Sequence, residues 1–130
     1  MGRTRNLAPS LEGTSLNPRR GEIWWIEPDI TVGEEIQKRR PVVVVSSDGL
    51  SSLKFRLVAP ITERQDTFTG KTWHVPIQPS TMNGLTKPSS IDTLQLRGAS
   101  LDRFLGKIGT MDAYTMEEIT AAIAVVIEYM

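Results

Sequence analysis

The chain has 130 residues, a length typical of one domain with a modest core. Its 15 basic and 15 acidic residues give a formal net charge of 0, which argues against broad attraction to duplex nucleic acid but leaves room for a local basic site. It has no cysteine, which excludes disulfides and thiolate chemistry, and its apolar runs are too short to span a bilayer.

The first 18 residues are polar and contain glycine, proline, serine and asparagine, with only scattered leucines. This composition is typical of a flexible tail. We therefore expect a tail over residues 1–18 and one domain over residues 19–130. Arg3 and Arg5 are not followed by the apolar stretch of a signal peptide, so we expect a cytoplasmic protein that does not contact a membrane.

The first predicted strand, Gly21–Ile26, carries two adjacent tryptophans. Side chains alternate between the two faces of a strand, so Ile23 and Trp25 share one face and Trp24 lies on the other. One tryptophan must therefore face away from the main core. Trp24 either covers an edge of the sheet or forms a surface for a partner.

Four consecutive valines, Val42–Val45, predict a strand that is buried on both faces at the centre of a sheet. Pro41 favours an extended conformation at Arg40, where the loop over residues 28–38 becomes a strand. The next predicted strand is Phe55–Thr62. If the two strands pair antiparallel, Thr62 lies near Arg40. A guanidinium and a hydroxyl held together at a sheet edge can bind a phosphate.

The remaining segments predict short strands, polar loops and one helix. A loop over residues 63–71 and a connection over residues 78–88 separate strands over residues 72–77, 90–97 and 104–109. Asp112 is a good N-cap for a final helix whose apolar residues recur at helical spacing. Five or six short strands and one terminal helix predict a mainly β fold, built as a small, strongly curved sheet or barrel.

Several segments, taken together in their order and spacing, resemble the MazF/PemK family of toxin–antitoxin endoribonucleases over roughly residues 19–130. These segments are Arg20–Trp24, Gly33 with Glu35, Arg40–Val45, Ala59–Thr62, Gln95–Arg97 and the final helix. The resemblance implies an SH3-like (CcdB/PemK-type) β-barrel that forms a homodimer. It also implies a ribonuclease that cuts single-stranded RNA without a metal or other cofactor and is inhibited by an antitoxin.

In this family, the arginine of the Arg-Pro motif and the threonine that ends the next long strand form the central catalytic pair. These positions correspond to Arg40 and Thr62. Many members carry an acidic residue immediately before the Gln-x-Arg segment, where this chain has Leu94. The proton acceptor therefore stays open between Glu35, in the loop before Arg40, and Asp92. Glu35 also fits a solvated loop charge, and Asp92 also fits a partner of Arg97.

The RNA backbone would be contacted by the basic residues Lys38, Arg39 and Lys54, and the resemblance adds Gln95. His74 is the sole histidine, and its position within a short strand favours a packing or surface role over a titrating catalytic one.

The expected antitoxin would lie along the edge that carries Trp24 and Trp25, between the loops over residues 28–38 and 63–71. Either Trp25 or Trp73 is also suited to stack on an unpaired RNA base.

Two other functions fit the same fold. A CcdB-like poison binds DNA gyrase without catalysis, and such a binder has no need for the Arg40/Thr62 pair. A catalytically weakened homologue would mainly bind the antitoxin, and Leu94 in place of an acid keeps that alternative open.

Overall fold

The computed structural model describes residues 16–28 and 39–129. Within these ranges the chain forms seven strands, one α-helix and four short 3₁₀ helices. The strands are β1 (Glu22–Ile26), β2 (Arg40–Val44), β3 (Phe55–Glu63), β4 (His74–Ile77), β5 (Ser89–Asp92), β6 (Arg97–Ser100) and β7 (Phe104–Thr110). The α-helix, α1, is Ala113–Val126, and the 3₁₀ helices are Asp48–Leu50, Asp66–Phe68, Thr93–Gln95 and Leu101–Arg103. None of these helices is long and apolar enough to cross a membrane.

The strands form one antiparallel sheet in the order β4-β5-β3-β2-β1-β7. The long strand β3 pairs with β2 along one edge, and along the other edge it pairs first with β6 and then with β5. In the described part of the chain no ladder joins β4 to β7, so the ladders do not close into a complete barrel. The predicted fold class, mainly β with a C-terminal helix, is confirmed.

The valine strand is buried on both faces, as predicted. Val43 and Val45 belong to one apolar cluster, and Val42 and Val44 belong to a second one. Each buried aliphatic side chain contributes about 1.5–3 kcal/mol, so this strand anchors the sheet from both sides. The first cluster also holds Ile23, Ala59, Ile61, Val75, Ile91, Met111, Ile119 and Ala122, and the second also holds Trp24, Ile26, Val58, Ala99 and Phe104.

The helix begins as its capping residue predicts. A carboxylate oxygen of Asp112 accepts a 2.8 Å hydrogen bond from the Thr115 N–H, and the hydrogen bonds from the side chain and the backbone of Thr115 lower the pKa of the Asp112 carboxyl. Ile119 and Ala122 face the first cluster, which holds α1 against the sheet.

The prediction of one continuous strand over residues 90–97 is wrong. The structure breaks it into β5 and β6 around the 3₁₀ helix Thr93–Gln95. The break follows from local hydrogen bonding, because Asp92 Oδ1 accepts from the Leu94 N–H at 3.1 Å. The Thr93 hydroxyl donates to the Trp73 carbonyl at 2.7 Å and is fully buried, which fixes the turn against the body of the protein.

The start of the described chain is bound to the domain, although Asn17 and Pro18 fall within the predicted tail. The buried guanidinium of Arg56 donates to the Pro18 carbonyl at 2.8 Å and to the Asn17 side-chain oxygen at 2.9 Å. Further hydrogen bonds run from Arg56 to the carbonyls of Leu53, Phe55 and Ser51. The domain therefore includes at least these two residues; residues 1–15 lie outside the described ranges.

Candidate active site

Arg40 and Thr62 lie at the same end of the central strands. The β2–β3 ladder pairs Val44 with Val58, Val43 with Ala59 and Val42 with Pro60. Continued by two residues, the same register sets Arg40 across from Thr62, and residues that face each other in an antiparallel pair have Cα atoms about 4.5–5.5 Å apart. The structure thus brings together the two residues that antiparallel pairing predicted to be neighbours.

Both residues line one cavity of 490 Å³. This volume falls within the range of about 300–1,000 Å³ that is usual for small-ligand sites. The apolar part of the lining comes from Trp25, Pro41, Ile61, Leu85 and Ile108, and the polar part comes from Arg40, Thr62, Glu63, Gln65, Thr86, Lys87 and Ser89. A lining that combines apolar and polar side chains suits a ligand that has a flat ring and a charged end.

The Thr62 hydroxyl is buried, and it has no hydrogen-bond partner among the described residues. Such a group costs about 1–3 kcal/mol in desolvation unless something binds it. Arg40 is exposed, and its side chain forms no hydrogen bond or ion pair with any other residue of the described ranges. Both groups are therefore available to a ligand in the cavity, and a guanidinium next to a hydroxyl suits a phosphate.

His74 belongs to a buried polar cluster beside this end of β3. Its Nδ1 lies 2.9 Å from the Ser90 hydroxyl, which also accepts from Arg64 at 3.4 Å, and its ring stacks on Phe68 with centroids 3.9 Å apart. Burial lowers the pKa of His74; the Asp92 carboxylate opposes this effect and the nearby cations add to it. His74 thus has the packing role that its position favoured.

Asp92 does not lie at the cavity. One of its carboxylate oxygens caps the 3₁₀ helix through the Leu94 N–H, and the other lies 3.9 Å from Nε2 of His74. Leu94 and Gln95 belong to that 3₁₀ helix, where both are exposed, and neither lines the cavity. Asp92 and Leu94 do not share a strand face, because the strand ends at Asp92 and Leu94 lies in the 3₁₀ helix.

The predicted RNA-binding cations are spread over the molecule. Arg39 is exposed and precedes Arg40, whereas Lys54 lies just before β3, at the end opposite to Thr62. Eight residues of extended chain correspond to roughly 26 Å, so Lys54 is far from the cavity. Glu35 and Lys38 lie outside the described residues.

The two adjacent tryptophans lie in different environments, as the alternation of side chains along a strand required. Trp24 is only 7% exposed; it packs edge-on against Phe104 and donates its indole N–H to Glu22 at 3.0 Å. Trp25 is 42% exposed and lines the cavity. The surface that Trp24 was expected to offer a partner is therefore small, and Trp25 is the tryptophan that a ligand can reach.

Several lining residues have no signal in the sequence that points to a site. Gln65 and the segment Gly84–Lys87 form part of the cavity wall, whereas the sequence predicts only loops there. The Asn83-Gly84 dipeptide is a turn signal, but it does not show what the turn packs against.

The fold is that of known toxin structures. A chain of the MazE–MazF structure from Deinococcus radiodurans superposes with a TM-score of 0.72 at 18% identity, covering 89% of this chain and 100% of that one. The Mycobacterium tuberculosis toxin MazF-mt6 gives a TM-score of 0.66 at 23% identity, covering 82% of this chain and 96% of that one.

Sequence comparison then identifies the family. Residues 19–127 match the model of the PemK-like, MazF-like toxins of type II toxin–antitoxin systems. The endoribonuclease MazF9 of M. tuberculosis is 30% identical over 112 residues, which cover 81% of this chain and 92% of that protein. The chain therefore belongs to the PemK/MazF toxin family.

Proposed function

We propose that this protein is the toxin of a type II toxin–antitoxin system and that it is an endoribonuclease cutting single-stranded RNA at selected sequences. The observation that carries the proposal is the cavity shared by Arg40 and Thr62, in which the buried threonine hydroxyl has no partner among the described residues. The similarity to a protein named as an endoribonuclease supports the same activity.

Cleavage of RNA without a metal uses the ribose 2′-hydroxyl as the nucleophile. Its oxygen attacks the adjacent phosphorus while a base takes its proton, and the bond to the 5′-oxygen breaks as that oxygen gains a proton. The products are a 2′,3′-cyclic phosphate and a free 5′-hydroxyl. The main demand on the protein is to stabilise the extra negative charge on the phosphate during attack.

Arg40 meets that demand, because its guanidinium can donate two parallel hydrogen bonds to phosphate oxygens. A guanidinium is a donor without a free acceptor site, so the base is another group. The Thr62 hydroxyl would donate to a non-bridging oxygen of the same phosphate. Glu35 is our first candidate for the base; Asp92 is less well supported because its carboxylate is engaged by Leu94 and His74.

The RNA would extend from the cavity along basic residues. Arg39, next to Arg40, is well placed for the backbone, and Lys38 is proposed with it. Lys54 and Gln95 would touch only distant nucleotides, since both lie away from the cavity.

We further propose a homodimer that works in the cytoplasm and is bound by a cognate antitoxin. The relatives support the antitoxin, since they include a mycobacterial endoribonuclease solved in complex with its cognate antitoxin and a MazE–MazF complex. An antitoxin segment that covers the cavity would contact Trp25, which is exposed, far more than Trp24.

The test is to incubate the purified protein with single-stranded RNA in EDTA, alongside Arg40→Ala and a matched Arg19→Ala control. Arg19 is an exposed arginine that pairs with Asp48 at 3.4 Å, and surface pairs of this kind contribute little to stability. We expect discrete fragments from the wild type and from Arg19→Ala, and none from Arg40→Ala.

The same assay separates the other functions. Intact RNA together with inhibition of DNA gyrase would establish a CcdB-like poison, although the family match favours the ribonuclease. Intact RNA without gyrase inhibition, but with tight antitoxin binding, would establish a weakened homologue.

A further inference from the structure

We infer that the segment Met82–Lys87 is a rigid rim of the cavity that reads the RNA base next to the scissile phosphate. The reading groups are the hydroxyl of Thr86, on this rim, and the amide of Gln65, on the loop after β3. The inference rests on the proposed ribonuclease function. It concerns which sequence is cut rather than whether RNA is cut.

The rim is held from within by Asn83. Its buried side-chain oxygen accepts hydrogen bonds from the backbone N–H groups of Ser80 at 3.0 Å and Leu85 at 2.9 Å. Its amide nitrogen donates to the Gln78 carbonyl at 2.9 Å. One side chain thus ties together both sides of the turn, and such a turn has little freedom to change shape when a ligand arrives.

The rim is also docked on β7 by backbone contact. Gly84 has a positive φ of 70°, and a Cβ there would lie 2.4 Å from the carbonyl oxygen of Ile108. A Cβ on Gly109 would lie 2.5 Å from the Asn83 carbonyl oxygen, and the Thr110 N–H donates to the Met82 carbonyl at 2.9 Å. Neither glycine has space for a side chain, so the position of the rim is set before substrate binds.

Besides Thr62, two neutral polar side chains of the cavity lining have no hydrogen-bond partner within the described ranges. They are Thr86 and Gln65, whereas Lys87 and Glu63 of the same lining pair with each other at 3.5 Å. A hydroxyl and a primary amide can each donate and accept, as the edge of a base requires. The charged Arg40 suits the phosphate, and the exposed ring of Trp25 suits the face of the base.

The experiment compares the wild type with Thr86→Val and Gln65→Leu on a pool of random single-stranded RNA, with the new 5′ ends sequenced. Thr69→Val is the matched control, because Thr69 is an exposed threonine that does not line the cavity. We expect Thr86→Val and Gln65→Leu each to lose about tenfold or more of the preference at one position beside the cut. Thr69→Val should keep the wild-type pattern.

A second pair of variants tests the docking. Gly109→Ala pushes a methyl group into the Asn83 and Met82 carbonyls, whereas Gly98→Ala, on β6, meets no atom within 4 Å. We expect Gly109→Ala to change the base preference and Gly98→Ala to preserve it.

The outcomes separate this inference from the proposed function. If the wild type cuts the pool and both Thr86→Val and Gln65→Leu keep its preference at every position, the inference is overturned while the ribonuclease stands. If the wild type leaves the pool intact, the proposed function fails and the rim has no base to read.

Discussion

Thr62 and Ser90 face each other across the β3–β5 ladder, and only Ser90 has hydrogen-bond partners for its hydroxyl among the described residues. The Ser90 oxygen lies 2.9 Å from His74 and accepts from Arg64 at 3.4 Å. The Thr62 oxygen is buried with its hydrogen-bonding capacity unused. This end of the β3–β5 ladder thus carries one fixed hydroxyl, on Ser90, and one that is free for a substrate, on Thr62.

Replacing Thr62 by valine should separate activity from stability. The variant keeps the shape but removes the proposed phosphate donor, so we expect RNA cleavage to fall by about 10²–10³-fold. Because the buried hydroxyl is unpaired, its removal should leave the free energy of unfolding unchanged or raise it by about 1 kcal/mol. Cleavage kinetics and urea unfolding check the two effects, and Thr62→Ser should restore activity. A valine variant that cleaves at the wild-type rate would remove Thr62 from the mechanism.

Replacing Arg40 by lysine should show whether the paired N–H donors of the guanidinium matter beyond its positive charge. A lysine keeps the positive charge but cannot donate two parallel hydrogen bonds to one phosphate. We expect about a tenfold or greater loss in kcat with an unchanged fold. Single-turnover cleavage with saturating protein isolates the chemical step. Full activity in the lysine variant would reduce the role of Arg40 to simple charge attraction.

The stability of the protein should fall below about pH 6.5 because of His74. Burial lowers its pKa in the folded state, so the unfolded chain takes up a proton first as the pH decreases. Stability is therefore complete above the unfolded pKa and is lost as the pH falls towards the lower, folded value. Tm measured between pH 7.5 and pH 5.5 should drop more steeply in the wild type than in His74→Gln. Equal slopes would contradict this origin. RNA cleavage by His74→Gln at neutral pH should match the wild type.

Replacing Arg56 by methionine should destabilise the domain strongly. The guanidinium is 3% exposed and donates to four backbone carbonyls and one side-chain oxygen, several of which would lose their partner. Leaving buried acceptors unsatisfied costs about 1–3 kcal/mol each, so we expect a loss of at least about 2 kcal/mol in unfolding free energy. The neighbouring exposed Lys54→Met should change it by less than about 0.5 kcal/mol. Urea titrations of both variants give the comparison.

The features that the sequence predicted correctly are those written in local or periodic patterns. The valine run predicted a strand buried on both faces, and Asp112 predicted the start of α1. The proximity of Arg40 and Thr62 followed from antiparallel pairing, because neighbouring strands joined by a short connection leave little choice of partner.

The sequence by itself thus determined the central strands, the final helix and the meeting of a guanidinium with a hydroxyl. Only the tertiary structure decided that the Asp92 carboxylate lies next to His74 and that Trp24 is buried while Trp25 is exposed. It also decided that the rim packs on β7 at Gly84 and Gly109. These features depend on contacts between segments far apart in the chain. A residue's type limits such contacts, but its sequence neighbours do not reveal which partner it meets.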